Sequence, residues 1–322
     1  MTSYILVTGA SGFIGFHLIH SLLNDVINII GIDNMNDYYD VDLKQNRLLK
    51  LKKFKNFIFH NTDISNRKSL NEIFQTYKPV KVVNLAAQAG VRYSIENPHA
   101  YIDSNLVGFG NILEECRHSN VEGLIYASSS SVYGEQSTVP FDVDAKTDKP
   151  ISLYASTKIS NELMASTYSH LYNLNTTGLR FFTVYGPWGR PDMAYYIFTK
   201  KIINNQEINV FNNGEMKRDF TYISDIVSGL RAAINNNYKC EIFNLGNNKS
   251  EKLMDLISLI ETELGQKAKI NFKPMQKGDV TETFANINKS IEMLNFQPKI
   301  EIKEGIQRFV SWYKLYSAKN NL

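Results

Sequence analysis

The stretch Gly9-Ala-Ser-Gly12-Phe-Ile-Gly15 decides the fold, because it joins a short apolar run to an amphipathic one. The run before it, Tyr4–Val7, is typical of a buried strand, and residues 13–24 after it have helical spacing. Glycines at such a junction allow a tight turn, close approach of the backbone to a pyrophosphate, and close packing of helix on strand. The free N–H groups of the helix then face the phosphates. The stretch therefore predicts a dinucleotide site.

The first half of the chain alternates β-branched runs with longer amphipathic segments, which is typical of a parallel sheet wrapped by helices. We expect an α/β fold with a Rossmann-like doubly wound parallel sheet. The expected helices cover residues 13–24, 43–53, 67–77, 100–119 and 154–173. The expected strands are Tyr4–Val7, Asn28–Ile32, Phe57–Asn61, Val80–Asn84, Gly123–Ala127 and Thr176–Arg180.

The alternation stops after Arg180, which indicates a second lobe. Glycines and prolines within Phe181–Asp192 predict a long ordered loop. Glu241–Leu245 has the character of one more strand, so we expect a strand near 241–246 to return to the first sheet. This predicts a dinucleotide-binding domain over 1–183 and a smaller, partly discontinuous C-terminal α/β substrate lobe over 184–322. Helices are expected in this lobe at 194–205, 223–236, 250–264 and 302–318.

Asp33 closes the second expected strand, eighteen residues beyond Gly15. A carboxylate at this point accepts hydrogen bonds from the adenosine ribose hydroxyls and repels a 2′-phosphate. The cofactor expected from this pattern is NAD rather than NADP.

Composition excludes several other classes of protein. Acidic and basic residues nearly balance, with a net charge of +3, so we expect no nucleic-acid partner. No apolar run is long enough to span a bilayer. Cys116 and Cys240 have no CxxC partner, so both are expected to be reduced, partly buried thiols of a cytoplasmic protein. No metal site is expected, and His17 and His20 are interpreted as surface residues on one helix face.

Further motifs extend the pattern over essentially the whole chain. These are Tyr154-Ala-Ser-Thr-Lys158, the serine-rich Ser128–Gly134, the Asn84–Gln88 segment and Arg218-Asp-Phe220. Together with the glycine stretch, they resemble the extended short-chain dehydrogenase/reductases that act on nucleotide sugars. The resemblance implies a catalytic set of Ser129, Tyr154 and Lys158. It implies cofactor contacts at Gly9, Gly12, Phe13, Ile14, Gly15, Asp33, Asn34, Asp63, Ile64, Leu85, Ala86, Ala87, Gln88, Asn105, Tyr154, Lys158 and Phe182.

The spacing of Tyr154 and Lys158 suits proton transfer, because residues four apart share a helix face. A tyrosine with a pKa of about 10 is a poor base at neutral pH. A nearby ammonium should lower that pKa, so that Tyr154 can take the C4 hydroxyl proton of a sugar while the cofactor accepts the C4 hydrogen. Ser129 is expected to hydrogen-bond the same oxygen. After the 4-keto sugar rotates, the hydrogen returns to its other face.

Three stretches resemble the UDP-glucuronate 4-epimerases: Asn36–Tyr39, Gln88–Ser94 and Gly186–Met193. The implied reaction interconverts UDP-glucuronate and UDP-galacturonate. Ser130, Ser131 and Thr183 are expected near the C6 carboxylate, although Ser130 is equally suited to a turn. Arg92 and Arg190 are each expected to bind an anion, to anchor a loop or to form a structural salt bridge. The remaining substrate contacts implied by the family are Val210, Arg218 for the diphosphate, and Asp279 near the uridine ribose.

The residues at one or two positions of the sequence disfavour other activities on nucleotide sugars. Nucleotide-sugar dehydratases carry an acid pair where Ser130 and Ser131 stand, and UDP-glucuronate decarboxylases carry a glutamate at the position of Ser131. A UDP-glucose or UDP-N-acetylglucosamine 4-epimerase remains the main alternative, and a non-catalytic NAD-binding sensor or scaffold a remote one. Helices 100–119 and 154–173 carry apolar positions that either pack on the sheet or pair across a two-fold axis. The family implies a homodimer, so we expect one.

Overall fold

The computed structural model describes residues 3–135, 138–276 and 280–320. Within those ranges the strands are β1 (Tyr4–Thr8), β2 (Asn28–Asp33), β3 (Phe57–Asn61), β4 (Lys81–Asn84), β5 (Gly123–Ser129), β6 (Thr176–Phe181), β7 (Thr183–Tyr185), β8 (Glu207–Phe211), β9 (Lys217–Arg218), β10 (Phe220–Tyr222), β11 (Cys240–Leu245), β12 (Glu251–Lys252), β13 (Lys269–Lys273) and β14 (Glu282–Thr283).

The helices begin and end close to the expected positions in most of the chain. They are α1 (Phe13–Asn24), α2 (Val41–Leu51), α3 (Arg67–Tyr77), α4 (Tyr93–Glu96), α5 (Pro98–Tyr101), α6 (Phe109–His118), α7 (Leu153–Tyr172), α8 (Ala194–Ile203), α9 (Ile223–Asn235), α10 (Leu253–Leu264), α11 (Asn288–Leu294) and α12 (Ile302–Asn320).

The main sheet is parallel throughout, with the strand order β11-β6-β5-β4-β1-β2-β3 in the described ranges. Its central strands are apolar and fully buried, as at Leu6, Val7, Val82 and Val83, because helices cover both faces. The strand order reverses between β1 and β4, and a crevice forms there beyond the carboxyl ends of the strands. The expected Rossmann-like doubly wound fold is confirmed.

The second lobe contains short strand pairs between its helices. β7 pairs with β10 and β8 pairs with β13, both in parallel, while β9 lies between β12 and β14. The expectation of an uninterrupted loop over Phe181–Asp192 is therefore wrong at Thr183–Tyr185. The N–H of Thr183 donates to the carbonyl of Asp219 (3.1 Å), which extends this backbone beside β10.

One apolar core joins the two lobes. Val7 and Leu179 of the main sheet belong to the same buried cluster as Tyr195, Ile260 and Phe309 of the second lobe. The division at 183/184 stays a prediction about two lobes that share this core.

The helix expected over 100–119 is found as an unbroken helical run from α5 through α6, but its residues Ile102–Gly108 are π-helical rather than α-helical. The widened turn places Asn105 inside the protein, where it is 2% exposed.

Two other local expectations also need correction. His17 is partly buried, and its Nε2 lies 2.9 Å from the carbonyl oxygen of Pro187, so it is not a surface residue. Cys116 is fully buried and Cys240 is exposed, so neither is partly buried; both are free thiols. None of the helices described is both long and apolar enough to cross a membrane. Within the described ranges, no three His, Cys, Asp or Glu side chains are grouped as metal ligands would be.

Candidate active site

The glycine stretch forms a turn that a larger residue could not adopt at two positions. Gly9 has a φ of +70°, and a Cβ there would lie 2.9 Å from the backbone nitrogen of Ala86. A Cβ on Gly15 would lie 2.1 Å from the carbonyl oxygen of Gly9. The N-cap of α1 is Gly12, which has no side chain to cap the helix. The N–H groups in the first turn of α1 can therefore donate hydrogen bonds to an anion, and the residues present fit a dinucleotide pyrophosphate.

Asp33 stands at the end of β2, next to this turn. Its two oxygens accept hydrogen bonds from the N–H groups of Ser11 and Met35, each at 2.9 Å. Asn34 follows and donates to Asp63 at 2.6 Å. Burial alone would raise the pKa of Asp63, but hydrogen bonds from Ser65 and Asn34 hold it below its ordinary value. Two carboxylates thus stand at the adenosine end of the crevice.

A cleft that is partly open to solvent runs from the glycine turn to the end of β5. Most of the cofactor residues expected from the sequence line it, together with Ser129 and Arg190. The expected residues found in its lining are Gly9, Gly12, Phe13, Ile14, Gly15, Asp33, Asn34, Asp63, Ile64, Leu85, Ala86, Ala87, Gln88, Ser129, Tyr154, Lys158, Phe182 and Arg190.

Asn105 is not among the residues that line the cleft, and its expected contact with the cofactor stays a prediction. Its Oδ1 accepts from the N–H of Gln88 (2.8 Å), and its Nδ2 donates to the carbonyl of Gln88 (3.0 Å) and the hydroxyl of Thr157 (3.0 Å). It fixes the backbone of Gln88, which does line the cleft. The side chain of Val210 is fully buried in β8, and the expected contact of this residue with the substrate stays a prediction.

Ser129, Tyr154 and Lys158 meet where β5 ends and α7 begins. The hydroxyl of Ser152 caps α7 by accepting from the N–H of Ala155 (3.1 Å), which sets the start of this helix one turn before Lys158. Tyr154 is hydrogen bonded to Ser129. The Nζ of Lys158 donates to the carbonyl of Ala127 at 2.8 Å and lies 6.0 Å from the centre of the Tyr154 ring.

The electrostatics of this set differ from the expectation. Burial raises the pKa of Tyr154 above its ordinary value, and the opposing influences are the Ser129 hydrogen bond and the positive charge of Arg190. The expected influence of the Lys158 ammonium on the pKa of Tyr154 stays a prediction. Burial lowers the pKa of Lys158 to about 8, against the opposing charge of Glu162.

Arg190 combines two of the roles considered for it, since it pairs with a carboxylate and lines the cleft. Its Nε donates to Asp192 Oδ1 at 3.0 Å, and Asp192 also accepts from the hydroxyl of Tyr38 at 3.1 Å. Burial alone would lower the pKa of Arg190, but the charge and hydrogen bonds of Asp192 raise it, so the guanidinium stays charged.

The other expected substrate residues lie around the site rather than in the cleft lining. Arg92 is exposed, with its guanidinium 5.2 Å from the centre of the Phe211 ring. Arg218 donates to the carbonyls of Lys217 (2.8 Å) and Thr281 (3.2 Å). Ser130 and Ser131 form a short 3-10 turn after β5, and Thr183 begins β7. Asp279, expected near the uridine ribose, lies outside the described residues.

Comparison with known proteins identifies the group to which this fold and site belong. A family model described as the NAD-dependent epimerase/dehydratase family matches residues 5–246. The chain belongs to that family. Protein CapI of Staphylococcus aureus is 50% identical and covers 98% of this chain and 99% of its own. A UDP-glucuronate 4-epimerase of Thermodesulfobacterium geofontis is 46% identical over 97% of this chain and 96% of its own.

A solved structure of UDP-glucuronic acid 4-epimerase from Bacillus cereus, in complex with UDP-glucuronic acid and NAD, has the same fold. It superimposes with a TM-score of 0.92 at 33% identity, covering 97% of this chain and 99% of that one. The predicted family and its NAD dependence are confirmed.

Several residues that line the cleft were not among the site residues expected from the sequence. Tyr38 and Tyr39 were quoted only for their resemblance to relatives, and Lys44 gave no signal because helix spacing does not reveal which side faces a ligand. The residues that line the cleft without having been expected are Ile32, Asn36, Tyr38, Tyr39, Lys44, Thr62, Ala89, Ser104, Ala127, Ser128, Phe181, Val184 and Met193.

Proposed function

We propose that this family member epimerises a UDP-sugar at C4 with NAD, converting UDP-glucuronate to UDP-galacturonate. The observation that carries the proposal is one continuous cleft. It joins the glycine turn and Asp33 at one end to Ser129, Tyr154 and Arg190 at the other. The UDP-glucuronate 4-epimerases from Thermodesulfobacterium geofontis and Bacillus cereus, similar over nearly their whole length, support the choice of substrate.

Tyr154 moves the proton in this mechanism. Its phenolate takes the proton of the C4 hydroxyl, and the same oxygen returns that proton once the 4-keto sugar has turned over. Ser129 donates to the phenolic oxygen and stabilises its charged form, which burial alone disfavours. NAD, when bound, supplies the chemistry of accepting and returning the C4 hydrogen. The positive charge of Arg190, which also lines the cleft, lowers the pKa of Tyr154 as well.

The sugar end of the cleft suits a uronate that must keep its carboxylate. A 4-keto uronate is a β-keto acid, which loses carbon dioxide readily when its carboxylate is poorly held. Ser130 and Ser131, which follow β5, and Thr183, which follows β6, are proposed to supply small hydroxyl donors, and Arg190, which lines the cleft, a cation. Arg218 and Asp279 are proposed to bind the diphosphate and the uridine ribose.

Incubation of the purified protein with UDP-glucuronate, followed by separation of the nucleotide sugars, tests the proposal. We expect UDP-galacturonate to appear, and Tyr154→Phe to lower turnover by about 100-fold or more while NAD remains bound. UDP-xylose as the product would instead indicate decarboxylation. Conversion of UDP-glucose or UDP-N-acetylglucosamine alone would favour the neutral-sugar epimerases.

We also propose that the protein is a homodimer, paired through the π-helical segment and α7. Ile112 and Leu113 of α6 are fully buried against the sheet, whereas Val107, Leu163 and Leu171 are 46%, 64% and 58% exposed. An apolar surface of this kind is typical of a contact between subunits.

A charge placed in this surface tests the dimer. We expect Leu163→Glu to halve the mass measured by light scattering, because the carboxylate would have to be buried in the contact. Leu315→Glu, at a 77% exposed position on α12, is the matched control and should leave the mass unchanged. Equal masses for the wild type and both variants would contradict this interface.

We further propose a cytoplasmic location and a role in supplying polysaccharide synthesis. The free thiols of Cys116 and Cys240 fit a reducing compartment, and a nucleotide sugar is the activated form in which a sugar enters a polysaccharide.

A further inference from the structure

The backbone just before Arg190 is held by side chains from the opposite half of the molecule. Three consecutive carbonyls, those of Pro187, Trp188 and Gly189, receive these contacts. His17 of α1 lies 2.9 Å from the first of them through its Nε2. Arg47 of α2 donates through its Nη2 to the second and third, at 2.5 and 3.2 Å. The loop that presents Arg190 is thus attached to the first two helices of the cofactor half.

The same Arg47 guanidinium also reaches the glycine turn. Its Nη1 donates to the carbonyl of Ser11 (2.9 Å) and to the hydroxyl of Tyr39 (2.8 Å). Ser11 lies within the Gly9–Gly15 stretch, and its N–H donates a hydrogen bond to Asp33. A single side chain therefore joins the pyrophosphate end of the cleft to the loop that ends at Arg190.

Burying the Arg47 guanidinium in this way lowers the stability of the fold, which indicates that Arg47 has a role besides stabilising the protein. Arg47 is fully buried, with 0% solvent exposure, and its Nε has no hydrogen-bond partner. The acceptors given above are neutral oxygens, whereas Arg180 and Arg190 each face a carboxylate. Burial of a guanidinium without an opposite charge lowers stability. A bound pyrophosphate on the other side of the glycine turn would supply that opposite charge.

The loop itself adopts a conformation that needs external support. Trp188 has a φ of +61°, in the left-handed region that a bulky side chain rarely occupies. Such a backbone persists only where its surroundings hold it. The Trp188 ring lies 5.7 Å from that of Phe16 in α1 and 5.4 Å from that of Tyr316 in α12, measured between centroids. Removal of the Arg47 contacts would therefore release a strained segment.

We propose that Arg47 is a positioning residue that couples the two ends of the cleft, fixing the glycine turn and the Arg190 loop in one arrangement. Because of this coupling, one guanidinium both supports the glycine turn and determines where Arg190 lies relative to the sugar. The role assigned to Arg190 in this inference rests on the proposed function. The attachment of Arg47 to both loops does not.

The first test compares NAD content and nucleotide-sugar binding in Arg47→Met with those of the wild type. We expect the purified variant to hold at least about threefold less NAD, and its NAD-saturated form to bind UDP-glucuronate at least about tenfold more weakly by calorimetry. Arg47→Lys should restore part of both, since an ammonium can satisfy some of the four acceptors.

Arg231→Met is the matched control for loss of a bridging arginine. Arg231 donates to Ser21 (3.0 Å) and pairs with Asp25, so it joins α9 to α1 without touching either loop. We expect the NAD content and UDP-glucuronate affinity of this variant to equal those of the wild type. If it loses both as Arg47→Met does, the effect is general to the fold and the proposal is overturned.

A double-mutant cycle separates coupling from simple destabilisation. Arg190→Ala should weaken UDP-glucuronate binding at least about tenfold in the wild type, but less than about threefold when Arg47 is already Met. Additive effects, or no effect of Arg190→Ala in the wild type, would overturn the coupling. If Arg47→Met fails to fold by circular dichroism, the cycle is run with Arg47→Lys, with the same criterion of non-additivity.

Failure of the proposed function would give a different pattern. In that case the wild type would bind NAD but neither bind nor convert UDP-glucuronate. The cycle is then measured with UDP as the probe, and the comparison of NAD content in Arg47→Met and Arg231→Met is unaffected.

Discussion

At the level of single residues, burial acts on each cation around the cleft according to the oxygens that face it. Lys158 faces a backbone carbonyl, and its pKa falls to about 8. Arg190 is held next to Asp192, and its pKa rises. These two environments allow Lys158 to give up its proton near physiological pH, while Arg190 keeps its charge at any pH the enzyme meets.

His17 provides a prediction about pH. Burial lowers its pKa to about 4, opposed by the contact with the Pro187 carbonyl and assisted by the charges of Arg47 and His20. The unfolded chain binds this proton below a pH of about 6.5, and the folded chain does not until about 4. The stability due to the neutral imidazole is therefore complete above that range, and we expect about 2 kcal/mol to be lost between pH 7 and 5.

Urea unfolding at pH 7 and pH 5 measures this loss for the wild type and for His17→Gln. The variant has no imidazole to protonate, so its stability should fall by about 2 kcal/mol less than that of the wild type. An identical fall in the two proteins would contradict a depressed pKa at His17.

At the level of elements, the π-helical segment between α5 and α6 places a polar side chain where a regular helix would not. It turns Asn105 inward, onto both backbone groups of Gln88. The amide of Asn161 donates to the carbonyl of Asn105 at 2.6 Å, so α7 in turn fixes the π-helical segment. The position of Gln88 in the cleft is thus set by two neighbouring helices.

Asn105→Ala tests this support. The change leaves the N–H and C=O of Gln88 without their partners inside the protein, and we expect the free energy of unfolding to fall by about 2–4 kcal/mol. The NAD content of the purified protein should fall as well. Asn236→Ala, which removes an exposed 2.8 Å bond to Ala232 at the end of α9, is the control and should change neither quantity. Equal unfolding midpoints would count against the role given to Asn105.

The elements that sequence reasoning predicted well are those with strong periodicity. The strands before each crossover and the helices α1, α3 and α9 began within two residues of the expected positions. The two-residue strands β9, β12 and β14 were not predicted, because so short a run has no period and forms only where another strand lies beside it. The π-helical segment was missed for the same reason, since its widened turn depends on the contacts of Asn105.

The residues of the site were also predicted in part, and those at the ends of strands were predicted best. The cofactor residues lie at strand ends, where the fold dictates which side chains meet, and motif reasoning placed them in the cleft. Arg47 and Asp192 were missed, because their roles depend on contacts between segments far apart in the chain. Lys44, which donates to Asn36, was missed because helix spacing does not reveal which side of a helix faces a ligand. Motif reasoning paired Tyr154 with Lys158, but it gave no sign that the positive charge of Arg190 also acts on the phenol.

At the level of the whole molecule, a buried polar network ties the sheet to its helices behind the active site. Arg180 of β6 makes two bonds to Glu162 of α7, at 2.9 and 2.8 Å. Glu162 also accepts from Ser128 at 2.5 Å, next to Ser129. A third nitrogen of Arg180 donates to Tyr133, whose hydroxyl donates in turn to an asparagine of β11 at 2.6 Å.

Arg180→Met should therefore destabilise the whole protein. It leaves the carboxylate of Glu162 buried and unpaired, and we expect a loss of about 3–5 kcal/mol in the free energy of unfolding. Arg180→Met combined with Glu162→Leu removes both charges, so it should be more stable than Arg180→Met alone. Guanidinium unfolding of the three proteins measures these differences. A double variant less stable than the single one would show that the ion pair is not the main source of the loss.

The place of β11 at one edge of the main sheet constrains how the protein is made. The strand lies beside β6, yet the second lobe's α8, β8 and α9 are synthesised between the two. Until β11 emerges from the ribosome, β6 presents an unpaired edge, which is the kind of surface that attracts other chains. A chain cut at residue 183 should therefore aggregate. The main sheet therefore reaches its full seven strands, with β6 paired on both sides, only after residues 184–245 have been translated.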